Sequence, residues 1–251
     1  MNEIRVVPAA NAGAILYLGG FCVWTDVLNE ANQGGYEVLS DEAFRRILRE
    51  PAFRPDAVLF THRHHDHYSE ERVMKAAEAW PDALVYVGGA SPGGKELDLN
   101  ASHGTLRIRT IPLPHDGVRY AEVLNEAFLL LSPAGNVLIS GDCPVACPEL
   151  QGALGMISRK GCAENASDRP EKAVFPIDLA LLNFPWLSLG KGRKAISSLD
   201  PDHVLFFHLP APSEDRFGYR TQAERMLETC QNGRDWRIAG RPFEEERFLL
   251  S

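Results

Sequence analysis

Short apolar runs alternate along the chain with stretches of helical period, and the runs have the length of strands. They predict strands at residues 4–7, 14–27 (a hairpin bent at Gly19-Gly20), 57–60, 83–87 and 105–113. Residues 128–131 and 137–140 read as a hairpin about Pro133-Ala-Gly-Asn136, and later strands fall at 179–183, 204–207 and 243–250. A helix over 41–49 sets Phe44, Ile47 and Leu48 on one face and stops before Pro51, whose ring blocks a further turn. Ser69 can cap a helix running to Trp80, with Glu70 and Glu71 in the first turn and Val73, Ala77 and Trp80 inward. Helices over 192–199 and 221–230 follow; the latter spaces Ala223, Met226, Leu227 and Cys230 on one face before Asn232-Gly233. Hairpins beside strand–helix pairs predict a mixed-sheet α/β protein, and with no linker or repeat, residues 1–251 read as a single domain. The Pro/Gly-broken segment 143–172 reads as either a crossover or a flap over a site.

Composition narrows the class. The 251 residues are 45% hydrophobic and 24% charged, which suits a globular chain with a large core. A formal net charge of −8 works against a nucleic-acid partner. It still admits a small anionic substrate, because bound cations would reverse the field locally. The apolar run at 14–18 is too short for a signal or a membrane span. An odd count of 5 Cys (Cys22, Cys143, Cys147, Cys162, Cys230) fits free thiols better than a disulfide framework. The expectation is a cytoplasmic protein without membrane association, its oligomeric state open.

One stretch departs from this ordinary picture. Of 8 histidines, four crowd between His62 and His67 in VLFTHRHHDHYS. Such rings repel when charged, whereas a metal ion uses several neutral imidazoles at once. Side chains on extended backbone alternate, so His62 and His64 share a side while Arg63 turns away. Asp66 and His67 follow where the chain bends toward the Ser69 cap, within reach of a second ion. Imidazoles with a carboxylate and no thiolate suit zinc first, with manganese or iron as alternatives. The remaining ligands must come from elsewhere, and candidates end other apolar runs: His115 in IPLPHDG, Asp142 in VLISGDC and His208 in VLFFHLP.

The order THxHxDH, a strand-end His, SGD and a late His after VLFF resembles the metallo-β-lactamase superfamily of metal-dependent hydrolases over nearly the whole chain. The stretch IDLALLNFPWLSLGKGRKAISSLDPDHVLFFH is similar to part of the ascorbate-6-phosphate lactonase-like branch, with NFPW where that branch has a small Pro/Gly-rich turn. The resemblance implies a four-layer αβ/βα sandwich of two mixed β-sheets flanked by helices, with two divalent metal ions at one edge. It puts His62, His64 and His115 on one ion, Asp66, His67 and His208 on the other, and Asp142 between them. The expected nucleophile is a metal-bridged hydroxide, oriented by the catalytic Asp66, which also accepts its proton.

Around this set, Asp26 in VWTDVLN has two readings, a partner hydrogen-bonded behind a ligand histidine or a turn residue. His65 reads as packed or supporting rather than as a ligand or proton donor, His103 as a surface residue and His203 as structural. Lys191 and Arg193 either contact a substrate anion or form a solvated basic helix start. Cys143, Cys147 and Cys162 read as bystanders rather than a redox or metal site, and Tyr68 either edges the site or covers its helix. The expected activity is hydrolysis of a small ester, lactone or phosphodiester. The alternatives are a thioesterase of the hydroxyacylglutathione hydrolase type, a di-iron redox protein and a non-catalytic metal-binding protein.

Overall fold

Alternation of side chains along the strands divides the chain into layers. A computed structural model describes residues 3–30, 36–89, 93–120, 122–145, 147, 149, 153, 176–230 and 233–250. Most of segment 143–172, read as a crossover or flap, lies outside the described residues, as does Cys162. The first sheet holds β1 (Glu3–Pro8), β2 (Ala14–Leu18), β3 (Phe21–Thr25), β4 (Ala57–Phe60) and β5 (Leu84–Val87), with β13 (Glu246–Leu249) at its β1 edge. The second contains β6 (Glu96–Ala101), β7 (Gly104–Pro114), β8 (Leu124–Leu131), β9 (Asn136–Ile139), β10 (Leu179–Asn183), β11 (His203–Phe207) and β12 (Asp235–Ile238), in the order β12-β11-β10-β9-β8-β7-β6.

Period two sorts each strand between an inner and an outer core. Phe21, Val23 and Leu59 of the first sheet meet Phe128, Ile139, Leu181 and Leu205 of the second. The intervening Trp24, Val58 and Phe60 pack outward against α1 (Asp41–Arg49) and α2 (Glu70–Ala79), through Phe44, Ile47 and Ala76. On the other side, Leu182, Val204 and Phe206 pack on α3 (Pro185–Ser188), α4 (Gly190–Leu199) and α5 (Tyr219–Cys230), through Trp186, Ile196 and Ala223. The result is the expected four layers: helices, sheet, sheet, helices.

The strand directions place the site. β3, β4 and β5 are parallel, as are β9 through β12. β7 runs the same way as β9, because two antiparallel pairings separate them. Asp26, His62, His115, Asp142 and His208 each follow the C-terminal end of one of these strands. Ser69 caps α2 as anticipated, its Oγ accepting from Arg72 N at 3.4 Å.

Several details differ from the sequence reading. The edge strands β6 and β12 were not anticipated. The sequence of β6, ELDLNA, is polar because it is an exposed edge whose Asp98 and Glu96 pair with Arg107 and Arg109 of β7. In α2 the fully buried residue is Ala76 rather than Ala77, with Val73 and Trp80 partly buried beside it. The last strand begins at Glu246, after Phe243 with its positive φ of 64° has turned the chain. In NFPW, Asn183 ends β10 and Phe184 leads into α3, whose buried Trp186 fits its backbone closely against Gly192 of α4. Among the described residues, no helix is long and apolar enough to cross a membrane.

Candidate metal centre

The chain bends sharply where the strands end. Asn11, Asp26 and His208 have positive φ of 49°, 50° and 58°, and Gly141, just before Asp142, has 54°. Few residues other than glycine adopt this region, so its recurrence around one site marks a backbone bent to aim side chains. At Gly141 the bend requires glycine: a Cβ there would come within 2.6 Å of Asn125 Oδ1 and 2.8 Å of Thr61 Cβ. The same Asn125 Oδ1 accepts from Asp142 N at 3.2 Å and holds the following residue in place.

These bends gather the predicted ligand residues. One donor atom from each of His62, His64 and His115 lies within 4.8 Å of the others, and the same holds for Asp66, His67 and His208. Between the two groups, Asp142 Oδ2 lies 3.2 Å from His208 Nε2, 3.4 Å from His67 Nε2 and 3.5 Å from His115 Nε2. His62 and His67 are fully buried, and Asp66, His115 and His208 nearly so.

The donor set fits divalent cations. His62 Nε2, His115 Nε2 and Asp142 Oδ1 are buried without a hydrogen-bond partner, the His115–Asp142 approach lacking hydrogen-bond alignment. Leaving such an atom unpaired costs about 1–3 kcal/mol. Three of them in one histidine–carboxylate cluster are accounted for by cation ligation. On His115 and His62 the opposite ring atoms are already engaged. His115 Nδ1 lies 2.7 Å from Asp116 O, and His62 Nδ1 lies 3.0 Å from Thr61 Oγ1. His67 Nδ1 lies 3.1 Å from Asp26 Oδ2, an ion-pair approach without hydrogen-bond alignment that places Asp26 behind a ligand candidate. Asn11, which the sequence reading missed, donates to Asp66 O at 3.0 Å and reaches its Oδ2 at 3.4 Å.

Electrostatics divide the rings. Burial pushes His62 well below the usual imidazole range and lowers His64 as well. Burial, the largest single effect, disfavours charge on His67 and His115, but Asp142 together with Asp26 at His67, and Asp142 with the Asp116 backbone at His115, raises both. The Asp142 carboxyl would be raised by its own burial, yet the surrounding His208, His67 and His115 hold it well below the usual range.

Other candidates fall outside the cluster. His65 does not sit behind a ligand; its exposed ring pairs with Glu30 Oε1 at 2.9 Å. Arg193 does not face the histidines, because its Nη1 donates to Leu187 O at 2.6 Å and Ser188 O at 3.1 Å. Lys191 is exposed, and among the described residues nothing joins it to the cluster. Tyr68 packs on Phe60 at a ring distance of 5.1 Å, covering the core rather than edging the site. His203 is structural, lying 2.8 Å from Asp235 Oδ2 and 3.0 Å from Leu249 O, and His103 is exposed against Phe21. Cys143 and Cys147 are buried and form no disulfide.

No protein-family model matches the chain, and no curated protein matches its sequence. Solved structures do match. The metallo-β-lactamase fold protein YhfI from Bacillus subtilis aligns over 98% of this chain and 99% of its own, with TM-score 0.55 and 14% identity. This chain has the metallo-β-lactamase fold. The same alignment holds for an isothiocyanate hydrolase from Delia radicum gut bacteria, with TM-score 0.61 and 14% identity over 98% of this chain and 100% of that one. The whole chain also aligns with 55% of CmlA, a diiron β-hydroxylase from Streptomyces venezuelae, with TM-score 0.60 and 12% identity. At such identities the metallo-β-lactamase fold is what is shared, and the reaction has to be argued from the cluster itself.

Proposed function

We propose that the protein is a metal-dependent hydrolase of small ester, lactone or phosphodiester substrates, holding two divalent ions, with zinc preferred. The observation that carries this reading is the convergence of His62, His64, Asp66, His67, His115, Asp142 and His208, with buried ring and carboxylate atoms left unpaired. His62, His64 and His115 would hold one ion, Asp66, His67 and His208 the other, and Asp142 would join them. Bound ions of this kind supply Lewis acidity and lower the pKa of a water from about 15.7 toward about 7.

The chain's own residues do the rest. Asn11 steadies the Asp66 carboxylate, which orients the attacking water and takes its proton at a carboxylate oxygen. Asp26 holds the His67 ring, and Thr61 the His62 ring, so that each presents its other nitrogen to the centre. Lactones stay among the substrates because of the resemblance in residues 177–208. Buried thiols outside any disulfide at Cys22 and Cys143 support a reducing, cytoplasmic location.

A di-iron redox protein is the second reading, favoured by the likeness to CmlA. Metal quantification followed by an ester, lactone, thioester and phosphodiester panel, with Asp66→Ala as control, separates the two. The proposal expects about two zinc-type ions per chain and turnover that Asp66→Ala lowers by orders of magnitude. Redox-active iron without hydrolysis would favour the second reading, and full metal occupancy with no turnover would favour a binding protein.

A further inference from the structure

Two tyrosines stand over the two halves of the histidine cluster. The Tyr36 ring meets His208 edge-on at 4.5 Å, and the Tyr120 ring lies 5.1 Å from both His64 and His115. His208 and His115 in turn approach the same oxygen of Asp142. The aromatic surface continues away from the cluster: Phe184 stacks on Tyr219 at 5.2 Å, and Phe217 lies 5.7 Å from Tyr219. Glu37, His208 and Arg220 line one hollow, which brings the chain neighbours of Tyr36 and Tyr219 together beside the cluster.

These rings are not explained by folding. Tyr36, Tyr120, Phe217 and Tyr219 belong to none of the three apolar cores, and Phe217 is 75% exposed. Aromatic surface left in water beside a buried polar cluster is the usual mark of a ligand contact. The flanking Arg216 and Arg220 are turned to Glu214 Oε2 and Pro210 O, and among the described residues no Lys or Arg stacks on these rings.

We propose that the rim is a subsite for an uncharged aryl group, seated on Tyr36 and Tyr219 with the scissile bond over the histidines, so that the substrates are arylalkanoic esters or lactones. This rests on the hydrolytic reading above. Aromatic pairs attract in offset or edge-to-face contact beyond what their buried area gives, so these rings select a ring over an aliphatic group of equal size.

The test has a binding arm and a turnover arm, both on zinc-loaded protein. Titration calorimetry compares phenylacetohydroxamate with acetohydroxamate and cyclohexylacetohydroxamate, and kcat/KM compares methyl phenylacetate with methyl acetate. The aryl compound is expected to win by at least about tenfold in each comparison with acetyl. Tyr36→Ala and Tyr219→Ala should bring those ratios toward unity, while Tyr36→Phe keeps them. Equal binding of the phenyl and acetyl hydroxamates, or of the phenyl and cyclohexyl ones, overturns the aryl subsite. So does a preference that survives both alanine variants, and either result leaves hydrolysis untouched. Aryl preference in binding without turnover of any ester supports the subsite and overturns the hydrolytic reading instead.

Discussion

Asp26 Oδ2 lies 3.1 Å from His67 Nδ1, while the same carboxylate accepts Thr61 N and Thr61 Oγ1, each at 2.8 Å. One buried residue thus ties the end of β3 to the start of the histidine motif and turns the far nitrogen of His67 toward Asp142. Removing such a partner typically costs 10–100-fold in metal affinity. Asp26→Asn should weaken zinc binding by about that factor, measured by chelator competition, with the circular dichroism spectrum retained. Unchanged affinity would reduce Asp26 to a turn residue.

Gly141 is the hinge that delivers Asp142. Its φ of 54° and the lack of room beside Asn125 and Thr61 make Gly141→Ala costly in two ways. The left-handed conformation alone costs a residue with a Cβ roughly 1–2 kcal/mol, and the clash adds to it. At this chain length each kcal/mol lowers Tm by about 2–4 °C, so a drop of several degrees is expected in thermal melts. Zinc stoichiometry should fall as well, because Asp142 is displaced. A variant with native Tm and full zinc would show that the loop relaxes around the methyl group.

The layered fold and the ligand set were both legible in the sequence, for different reasons. Strands such as β4 and β10 are buried at every position because both faces are covered, and apolar but for the terminal Asn183, so their limits show in composition alone. The edge strands β6 and β12 bury little and read as loops. His62, His64, His115 and His208 stand at abrupt polar stops after such runs, which made them visible. Asn11, Thr61 and Asn125 act through single hydrogen bonds from turns, and no periodicity marks them. Tyr36 and Tyr120 were invisible because an isolated tyrosine in a loop gives no sign of what it faces. Arg193 misled for the opposite reason: its charge suggested an anion, but its reach lets it cap the preceding helical turn instead.

The thiols offer a separate check on packing. Burial, reinforced by Asp56, pushes the Cys22 thiol up to about 12, and burial raises Cys143 further. Cys230 is only half-buried on α5. Only the thiolate attacks an alkylating reagent. In the native protein near neutral pH, Cys230 should therefore be modified well before Cys22 and Cys143, which should react only on unfolding, as peptide mass mapping would show. Early modification of Cys143 would mean that the wall beside Asp142 opens in solution.

Zinc loading should release protons, and the sign follows from the two classes of histidine. His62 and His64 are held below the usual imidazole range, so they are already neutral near pH 7 and have no proton to give up. His67 and His115 are held above it by Asp142, so in the metal-free protein they carry protons that ligation must displace. Affinity should therefore climb as pH rises from about 6.5 toward the raised values of these two rings, by about one decade per pH unit for each proton displaced. The stability of the metal-free protein moves oppositely there. The contribution of the raised histidines is complete below their unfolded value near 6.5 and is lost as pH rises through their folded values, whereas that of the depressed Asp142 is lost only in acid. Calorimetric titration of zinc in buffers of different ionisation enthalpy counts the protons directly. Release of about two is expected; none at all would mean that His67 and His115 bind zinc from an already neutral state, and the division of the rings by Asp142 would be wrong.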